Sequence, residues 1–403
     1  MPTRPTSTNA LADYLANGYW QDTGQSPHHF DKHTITVDLT ALNKAGKALA
    51  RTALDSWEAV ANLKFRERAR NADITFDDAG GDADTQVRMS GRAISSAHVN
   101  IGAGWIDDYG ASVGSYGFQT YVHEIGHALG LGHSGNYNGN ASVRQERFAT
   151  DSWQTTVMSY LDQDENPNVA ATKAYVTTPM MADIAAVQKL YGKALHGSTA
   201  GATTYKVDLG RASMTIWDAN GRDTIDLSGD NHDNEISLAG GSFSNVSGEI
   251  GNLGIAGRTI IENVLTGGGG TTTSWATGPA TASGSAAATT GPTAGRATTS
   301  STGRRRRHAP GRRGQRPGSP AARGADTFAF SKGADVVTDF EDGRDTLVLD
   351  RDLWGGQDRP VEDVLRFAHL EGADVVFDFG SGNTLRLENL GSIDALADDL
   401  AFA

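Results

Sequence analysis

The stretch HEIGHALGLGH, from His123 to His133, holds three histidines whose spacing decides how this part of the chain folds. On a helix, His123 and His127 lie about 40° apart around the axis, so both imidazoles face one side. If the helix continued, His133 would point about 240° away from His127. Gly130 resolves this, because glycine adopts the backbone conformations at which a helix ends and the chain reverses. The stretch therefore predicts a helix that ends near Gly130 and a turn that returns His133 to the other two histidines.

These histidines are predicted to hold one metal ion. The chain has no cysteine, so a transition metal must be bound by histidines and carboxylates. Three imidazoles leave Zn²⁺ one open position for water, which is typical of catalytic rather than structural zinc sites. Glu124, beside the first ligand, can take a proton from that water. We interpret His123, His127 and His133 as zinc ligands and Glu124 as a general base.

The composition and the hydrophobic pattern of the sequence change near residue 200. Before it, strands are predicted at 33–42, 72–78 and 95–105, and helices at 45–65, 116–132 and 181–192. After it, short apolar segments alternate with turns rich in Gly, Asp and Asn, which is typical of a β-roll or a β-sandwich. An α/β half is therefore expected to precede a β half.

Composition excludes several functional classes. The 48 acidic residues outnumber the 35 Lys and Arg and give a net charge of −13, which argues against nucleic acid as a partner. The apolar runs are too short to span a membrane, so no membrane insertion is expected. The N-terminus lacks the apolar segment of a cleaved signal peptide.

A second motif follows the histidines. TTVMSYLD, at 155–162, places Met158 and Tyr160 downstream of the metal motif. Together the two motifs resemble those of the metzincin metallopeptidases, in which a tight turn carrying methionine forms an apolar floor beneath the zinc. The longer pattern, SYGFQTYVHEIGHALGLGHSGNYNG followed by FATDSWQTTVMSYL, is similar to the serralysin branch. NGYWQDTGQSPHHFD, TPMMADIAAVQKLYG and WDANGRDTIDLSG also resemble that branch.

The resemblance implies roles for single residues. The three histidines and Glu124 match the zinc ligands and general base of the family, and Met158 matches the turn methionine. Tyr160 matches a tyrosine that can ligate zinc at rest and stabilise the tetrahedral intermediate. The stretch at 96–105 resembles the family's edge strand, which binds an extended peptide. His28 and His29 match nothing and are interpreted as surface residues.

Serralysins carry a C-terminal β-roll of nine-residue repeats that bind Ca²⁺. The positions that match calcium ligands of the family are Asp218, Asn220, Asp223 and Glu262. The repeats themselves are missing: no Asp or Glu occurs from Asn263 to Ala325, and RRRRHAPGRRGQRP stands at 304–317. Most of the expected calcium sites therefore depend on what this segment is.

The genetic code offers an explanation for the segment. When codons are read one base earlier, Thr298–Gly303 can encode Asp-Asp-Leu-Leu-Asp-Gly, which is a sequence typical of the calcium-binding repeats. We therefore interpret residues 270–323 as out of frame, through a sequencing error or a damaged gene, and expect them to be disordered as written. A plain disordered linker is an alternative. A nucleic-acid-binding tail is another, although it would lack interleaved aromatic residues.

The sequence as a whole predicts an α+β protein. A possible pro-segment (1–15) precedes a metzincin-like zinc peptidase domain (16–200), with a twisted sheet and an active-site helix, and a calcium-binding β-roll or β-sandwich domain (201–403). The terminal DALADDLAFA resembles the uncleaved export signal of type I secretion substrates.

The expected function is that of a secreted, monomeric zinc endopeptidase, exported by the type I secretion machinery, that hydrolyses proteins and uses Zn²⁺ and Ca²⁺. One alternative is a calcium-binding adhesion or surface protein with a vestigial peptidase domain. A zinc hydrolase that acts on non-peptide substrates is the other.

Overall fold

A computed structural model describes residues 7–139, 141, 146–194, 201–221, 223–227, 229–232, 234–238, 240–261, 263–265, 272–275, 327–330, 334–337 and 340–402. The chain forms two compact units. The N-terminal unit comprises Met1–Ala200, Leu209–Ala219 and Glu249–Thr259. The C-terminal unit comprises Gly201–Asp208, Asn220–Gly248 and Ile260–Ala403. Both contain strands and the first is rich in helices, so the predicted α+β class is confirmed.

The helices of the N-terminal unit are α1 (Thr8–Asp13), α2 (Tyr19–Asp22), α3 (Lys44–Val60), α4 (Ala103–Tyr109), α5 (Tyr116–Ala128) and α6 (Met181–Tyr191). A π-helical segment, Tyr14–Gly18, joins α1 to α2. Leu11 and Leu15 are fully buried in the core of this unit. The predicted pro-segment at 1–15 thus overlaps a helix that contributes to the core.

The main sheet of this unit has five strands: β1 (Thr34–Ala41), β2 (Lys64–Glu67), β3 (Ile74–Asp77), β4 (Ala83–Ser90) and β5 (Ala93–Ile101). Their order is β2-β1-β3-β5-β4, and only the β4–β5 pair is antiparallel. The prediction that 96–105 forms the edge strand is wrong. Strand β5 lies between β3 and β4, so the edge on this side of the sheet is β4, and after Ile101 the chain turns into α4.

The helix predicted at 45–65 corresponds to α3, which ends earlier than predicted. Its buried face carries Leu49, Ala53 and Trp57, at intervals of four residues, and Asn43 caps its start by accepting a hydrogen bond from the Gly46 N–H at 2.9 Å. The helix ends at Val60, and the residues from Lys64 form β2. The predicted helices at 116–132 and 181–192 correspond to α5 and α6.

A second group of strands belongs to the N-terminal unit: β6 (Tyr175–Val176), β8 (Ala212–Ile216) and β12 (Glu249–Ile255). Strand β8 pairs in parallel with both β6 and β12. This pairing holds two later segments of the chain in the first unit, beyond the boundary expected at residue 200.

The C-terminal unit consists mainly of short strands. They are β7 (Thr204–Lys206), β9 (Thr224–Asp226), β10 (Asn234–Ser237), β11 (Phe243–Val246), β13 (Asn263–Leu265), β14 (Thr272–Trp275), β15 (Thr327–Phe330), β16 (Ala334–Val337), β17 (Thr346–Leu349), β18 (Ala368–Glu371), β19 (Asp374–Asp378), β20 (Thr384–Leu387) and β21 (Leu400–Phe402). Its helical segments are α7 (Val361–Val364) and the 3₁₀ turns Arg351–Trp354, Leu365–Phe367 and Asp394–Leu396.

Parallel pairing dominates this unit. Strands β10, β14, β15, β17 and β21 pair successively in parallel, as do β7, β9 and β13. Residues Phe328, Leu347 and Phe377 are among those that form its apolar core. Within the described part of the chain, no helix is long and apolar enough to cross a membrane.

Candidate metal centre

Helix α5 places two of the three histidines, and the turn after it places the third. Gly130 has a φ of +103°, and a Cβ there would lie 2.1 Å from the His28 carbonyl oxygen. Both the backbone conformation and the space therefore require glycine, as predicted. The chain reverses, and Nε2 of His133 comes within 3.0 Å of Nε2 of His127. One ligand atom from each of the three histidines falls in a group within 4.8 Å of one another.

Backbone carbonyls fix the orientation of all three rings. The Nδ1 atoms donate to carbonyl oxygens in three pairs: His123 to Val157 at 2.7 Å, His127 to Leu131 at 2.8 Å and His133 to Tyr137 at 3.0 Å. A carbonyl only accepts, so each Nδ1 carries the proton and each Nε2 presents a lone pair. Second partners of this kind orient metal-binding histidines in proteins.

The electrostatics of the three rings fit a metal cation. Burial lowers the pKa of His123 to about 4 and that of His127 to about 3, and it holds the pKa of His133 well below its ordinary value. The imidazoles are therefore neutral at pH 7, and two Nε2 lone pairs face each other at 3.0 Å with no proton between them. Such a set of nitrogen donors suits Zn²⁺.

Glu124 lies beside the ligands and is almost fully buried, with 6% of its surface exposed. Burial raises the pKa of its carboxyl group to about 7. The Thr85 hydroxyl, on β4, lies 2.7 Å from Oε2 and donates to it. Thr85 was missed in the sequence because it belongs to a polar stretch without any motif. This contact joins the edge strand to the Glu124 carboxylate.

The turn that carries Met158 lies directly beneath α5. Met158 is fully buried, and a Cβ at Gly126 would come within 2.6 Å of its Sδ. An apolar floor of this kind is what the family resemblance implied, and the role of Met158 beneath a metal stays a prediction. The Val157 carbonyl, in the same turn, is the one that accepts from His123.

Asp183, on α6, holds this turn and was also missed. It accepts hydrogen bonds from the Thr156 hydroxyl at 2.5 Å, the Val157 N–H at 2.7 Å and the Met180 N–H at 2.8 Å. Its side chain is fully buried, which raises its pKa to about 7. The helical periodicity around it marked only a buried face and gave no sign of these contacts.

Tyr160 lies where the resemblance placed it, at the histidines. Its ring centre is 4.4 Å from that of His133 and 5.7 Å from that of His123. It stacks on Tyr137 at 5.2 Å. Burial raises the pKa of the Tyr160 phenol to about 12, so the hydroxyl is protonated at neutral pH and can donate a hydrogen bond.

Two cavities open on either side of these residues. They measure about 330 Å³ and about 590 Å³, and Ala83, Glu124 and Tyr160 line both. His127 and His133 line the smaller cavity, and His123 lines the larger. Together the cavities form a cleft whose centre is the metal-binding group and Glu124.

The interpretation of His28 as a surface residue is wrong. Only 2% of its surface is exposed, its ring packs on Trp20 at 4.3 Å, and it lines the smaller cavity. Its Nδ1 donates to the Ser26 carbonyl at 2.8 Å. His29 is partly buried against Tyr191. The local sequence is polar and rich in turn residues, so it gave no sign of this burial.

The predicted calcium ligands remain a prediction. Asp218 and Asp223 are buried, and Asp223 accepts from the Thr203 N–H at 2.8 Å. Asn220 is exposed. Glu262 lies outside the described residues, as does nearly all of the segment interpreted as out of frame.

Two protein families match the chain. The family described as Matrixin matches residues 28–141, and the one described as Peptidase M10 serralysin C terminal matches residues 198–390. Both matches together include the histidine motif and most of the strand-rich half.

Several bacterial proteins are similar to the chain over more than half of its length. Metallopeptidase AprA of Pseudomonas marginalis is 33% identical over 64% of this chain and 61% of its own length. Serralysin B of Dickeya chrysanthemi is 36% identical over 59% of this chain and 54% of its own. Serralysin of Proteus mirabilis is 34% identical over 56% of this chain and 53% of its own. The chain thus spans a little over half the length of these relatives. With a Matrixin match in the first half and a serralysin C-terminal match in the second, and with the three histidines, Glu124 and the Met158 turn assembled in one place, the chain is similar to the serralysin-type metzincins.

Proposed function

We propose that this chain is a zinc-dependent endopeptidase that hydrolyses peptide bonds in proteins. The observation that carries the proposal is the convergence of three Nε2 atoms beside a buried carboxylate, in a cleft bordered by an open sheet edge. The names of the relatives, metallopeptidase and serralysin, support the same reaction class.

His123, His127 and His133 would hold the metal through their Nε2 atoms. When bound there, Zn²⁺ would polarise a substrate carbonyl and make water more acidic. Glu124 then accepts a proton from water and passes it to the leaving amine, and a pKa raised by burial suits both transfers near neutral pH. The protonated Tyr160 phenol donates a hydrogen bond to the carbonyl oxygen as negative charge develops on it.

The edge strand β4 supports a peptide as the substrate. An edge strand presents unpaired backbone N–H and C=O groups, and an extended peptide can pair with them. Strand β4 also carries Thr85, whose hydroxyl contacts Glu124, so a peptide paired with β4 would pass the catalytic carboxylate. This arrangement favours peptides over other zinc-hydrolase substrates. The intact catalytic set disfavours a vestigial domain.

The remaining features of the proposal rest on the C-terminal half and the relatives. We propose that the enzyme is monomeric, is exported by type I secretion machinery through its C-terminal DALADDLAFA segment and binds Ca²⁺ in its β-rich unit. The match to the serralysin C-terminal family over residues 198–390 supports the calcium-binding part of this proposal.

The experiment that tests the proposal is the replacement of Glu124 by Ala. We expect Glu124→Ala to retain one zinc ion per chain and to lose about 10²–10⁴-fold or more in kcat on casein, because the ligands survive and the base does not. Glu67→Ala, which removes an exposed carboxylate paired with Arg51, is the matched control and should keep parental activity. Casein cleavage by Glu124→Ala near the parental rate would refute the mechanism.

A further inference from the structure

The larger cavity of the cleft has aromatic walls. Trp105, Tyr116 and Trp153 line it, with ring centres 6.0 Å apart for Trp105 and Tyr116 and 5.6 Å apart for Tyr116 and Trp153. The Trp105 Nε1–H donates to the Thr120 hydroxyl at 3.1 Å, which fixes the indole. At about 590 Å³ the cavity lies in the range of ligand-binding pockets and can admit a large side chain.

The same cavity is lined by two acidic residues that the hydrolytic mechanism does not use. Asp82 precedes β4 and Glu165 follows the Met158 turn, and both are exposed. Neither forms an ion pair within the described part of the chain. Glu165 Oε2 accepts from the Asp162 N–H at 3.0 Å, which holds the carboxylate in place.

Basic residues do not balance these charges. Among the described residues, Lys173 lies 5.7 Å from the Trp153 ring; it forms an ion pair with Asp162 at 2.5 Å and also interacts electrostatically with Glu165. The smaller cavity adds another carboxylate, Asp84. Among the described residues that line either cavity, there is no Lys or Arg. The cleft therefore presents net negative charge to a substrate on both sides of the catalytic residues.

We infer that the larger cavity selects a basic side chain, arginine before lysine, at a substrate position next to the cleaved bond. This specificity rests on the proposed peptidase function. The aromatic faces attract a cation and can stack with a planar guanidinium group. Asp82 and Glu165 supply the charge-assisted partners. A glutamate side chain in the same place would be repelled by these carboxylates and by the negative faces of the aromatic rings.

The test compares internally quenched peptides that differ only by Arg, Leu or Glu at one of the two positions flanking the cleaved bond. Mass spectrometry of the products verifies the cleavage site. With the zinc-loaded full chain, we expect kcat/KM for Arg to exceed that for Leu about tenfold, and that for Glu about 100-fold, at one of these positions. The preference should weaken at high salt, because these carboxylates are exposed.

Two substitutions attribute the preference to the cavity. In the double variant Asp82→Asn and Glu165→Gln, the Arg-to-Leu ratio of kcat/KM should fall about tenfold, since shape is kept and charge is removed. Each single variant should show part of this loss, and Gln at 165 still accepts from Asp162. Asp55→Asn, which removes an exposed carboxylate on α3 outside the cleft, should leave the ratio unchanged.

Equal kcat/KM for the Arg and Leu peptides at both positions would overturn the inference and would indicate apolar selection by the aromatic walls alone. An Arg preference that survives in the double variant and in both single variants would overturn it as well. These outcomes leave the peptidase function intact if the Leu peptide is cleaved by the parent and not by Glu124→Ala. If the parent cleaves none of the peptides, the proposed function fails, and the inference fails with it.

Discussion

At the scale of single residues, the metal centre depends on which nitrogen of each histidine carries the proton, because only the other nitrogen can bind a metal. Because a backbone carbonyl takes the Nδ1 proton of every ring, the Nε2 lone pairs are available, and two of them lie 3.0 Å apart. In the metal-free protein these two lone pairs repel each other, and the fold keeps them close together. The same contacts that would make zinc binding strong therefore make the metal-free protein sensitive to acid.

This sensitivity predicts how the stability of the metal-free protein depends on pH. The ligand histidines stay neutral when folded because burial lowers their pKa, but they take up protons when unfolded below about pH 6.5. Their contribution to the free energy of unfolding is therefore lost as pH falls from about 6.5 toward 4, by about 1.4 kcal/mol per pH unit for each histidine. Glu124 and Asp183, whose pKa values are raised, act in the opposite direction.

The readout is accordingly a difference between two proteins. Urea unfolding of the metal-free parent and of His127→Gln, between pH 4.5 and 6, should show a slope smaller by about 1.4 kcal/mol per pH unit in the variant. His33→Gln, at an exposed histidine, should keep the parental slope. Equal slopes for the parent and His127→Gln would show that His127 titrates alike in the folded and unfolded chains.

The Tyr160 phenol gives the second prediction at this scale. Tyr160→Phe keeps the ring that packs on His133 and removes the donor, so kcat on casein should fall about 10²-fold while KM changes little. Tyr109→Phe removes an exposed phenol and serves as the control. If kcat of Tyr160→Phe equalled that of the parent, Tyr160 would be a packing residue only.

At the scale of elements, the Met158 turn depends on α6 through one carboxylate. Asp183→Ala would leave the Thr156 hydroxyl and two buried backbone N–H groups without an acceptor, so we expect the free energy of unfolding to fall by about 3–5 kcal/mol. Asp183→Asn is the matched variant, because one amide oxygen still accepts both N–H groups and the amide can donate to Thr156. Chemical denaturation of the zinc-loaded proteins measures both, and a loss below about 1 kcal/mol for Asp183→Ala would contradict this role.

The elements that could be predicted from the sequence are those with a strong periodic or chemical signal. Helix α5, the reversal at Gly130 and the convergence of the histidines followed from spacing and backbone geometry alone. Strand β4 could not be found in this way, because none of its residues is fully buried, most of them are polar and their burial does not alternate. Its register is imposed by pairing with β5, which is a tertiary effect. The assignment of the edge to β5 rested instead on the resemblance of 96–105 to the family's edge strand.

The same limit explains the residues that support the site. Thr85, His28 and Asp183 reach it from three different elements, and their contacts depend on how those elements pack. Nothing in the local sequence distinguishes Asp183 from an ordinary acidic residue in the first turn of a helix. Spacing identifies ligands that share one element, whereas a partner supplied by another element becomes visible only in the folded chain.

At the scale of the whole molecule, the two units raise different questions. The N-terminal unit contains every residue of the proposed catalytic mechanism, so the peptidase proposal does not depend on the segment at 270–323. The C-terminal unit matches the serralysin C-terminal family, for which the resemblance implies calcium-binding repeats, yet the chain has no acidic residue from Asn263 to Ala325. The oxygen ligands of protein calcium sites commonly include carboxylates. The two facts are compatible if the frame of the gene is shifted there.

This compatibility gives the last prediction, which compares the chain as written with a version whose reading frame is restored across 270–323. The restored version should bind several more Ca²⁺ ions per chain, because each repeat sequence returns an Asp to a turn flanked by glycine. Its far-UV circular dichroism should change with Ca²⁺ more than that of the chain as written, since such sites form on folding and binding free energy becomes folding free energy. A restored version with those Asp residues replaced by Ala separates the effect of the carboxylates from that of the frame.

Calorimetric Ca²⁺ titration measures the stoichiometry, and resequencing of the gene tests whether the reading frame is shifted. Wobble bases that cannot encode Asp-Asp-Leu-Leu-Asp-Gly across Thr298–Gly303 would refute the shifted frame, as would equal Ca²⁺ stoichiometry in the two versions.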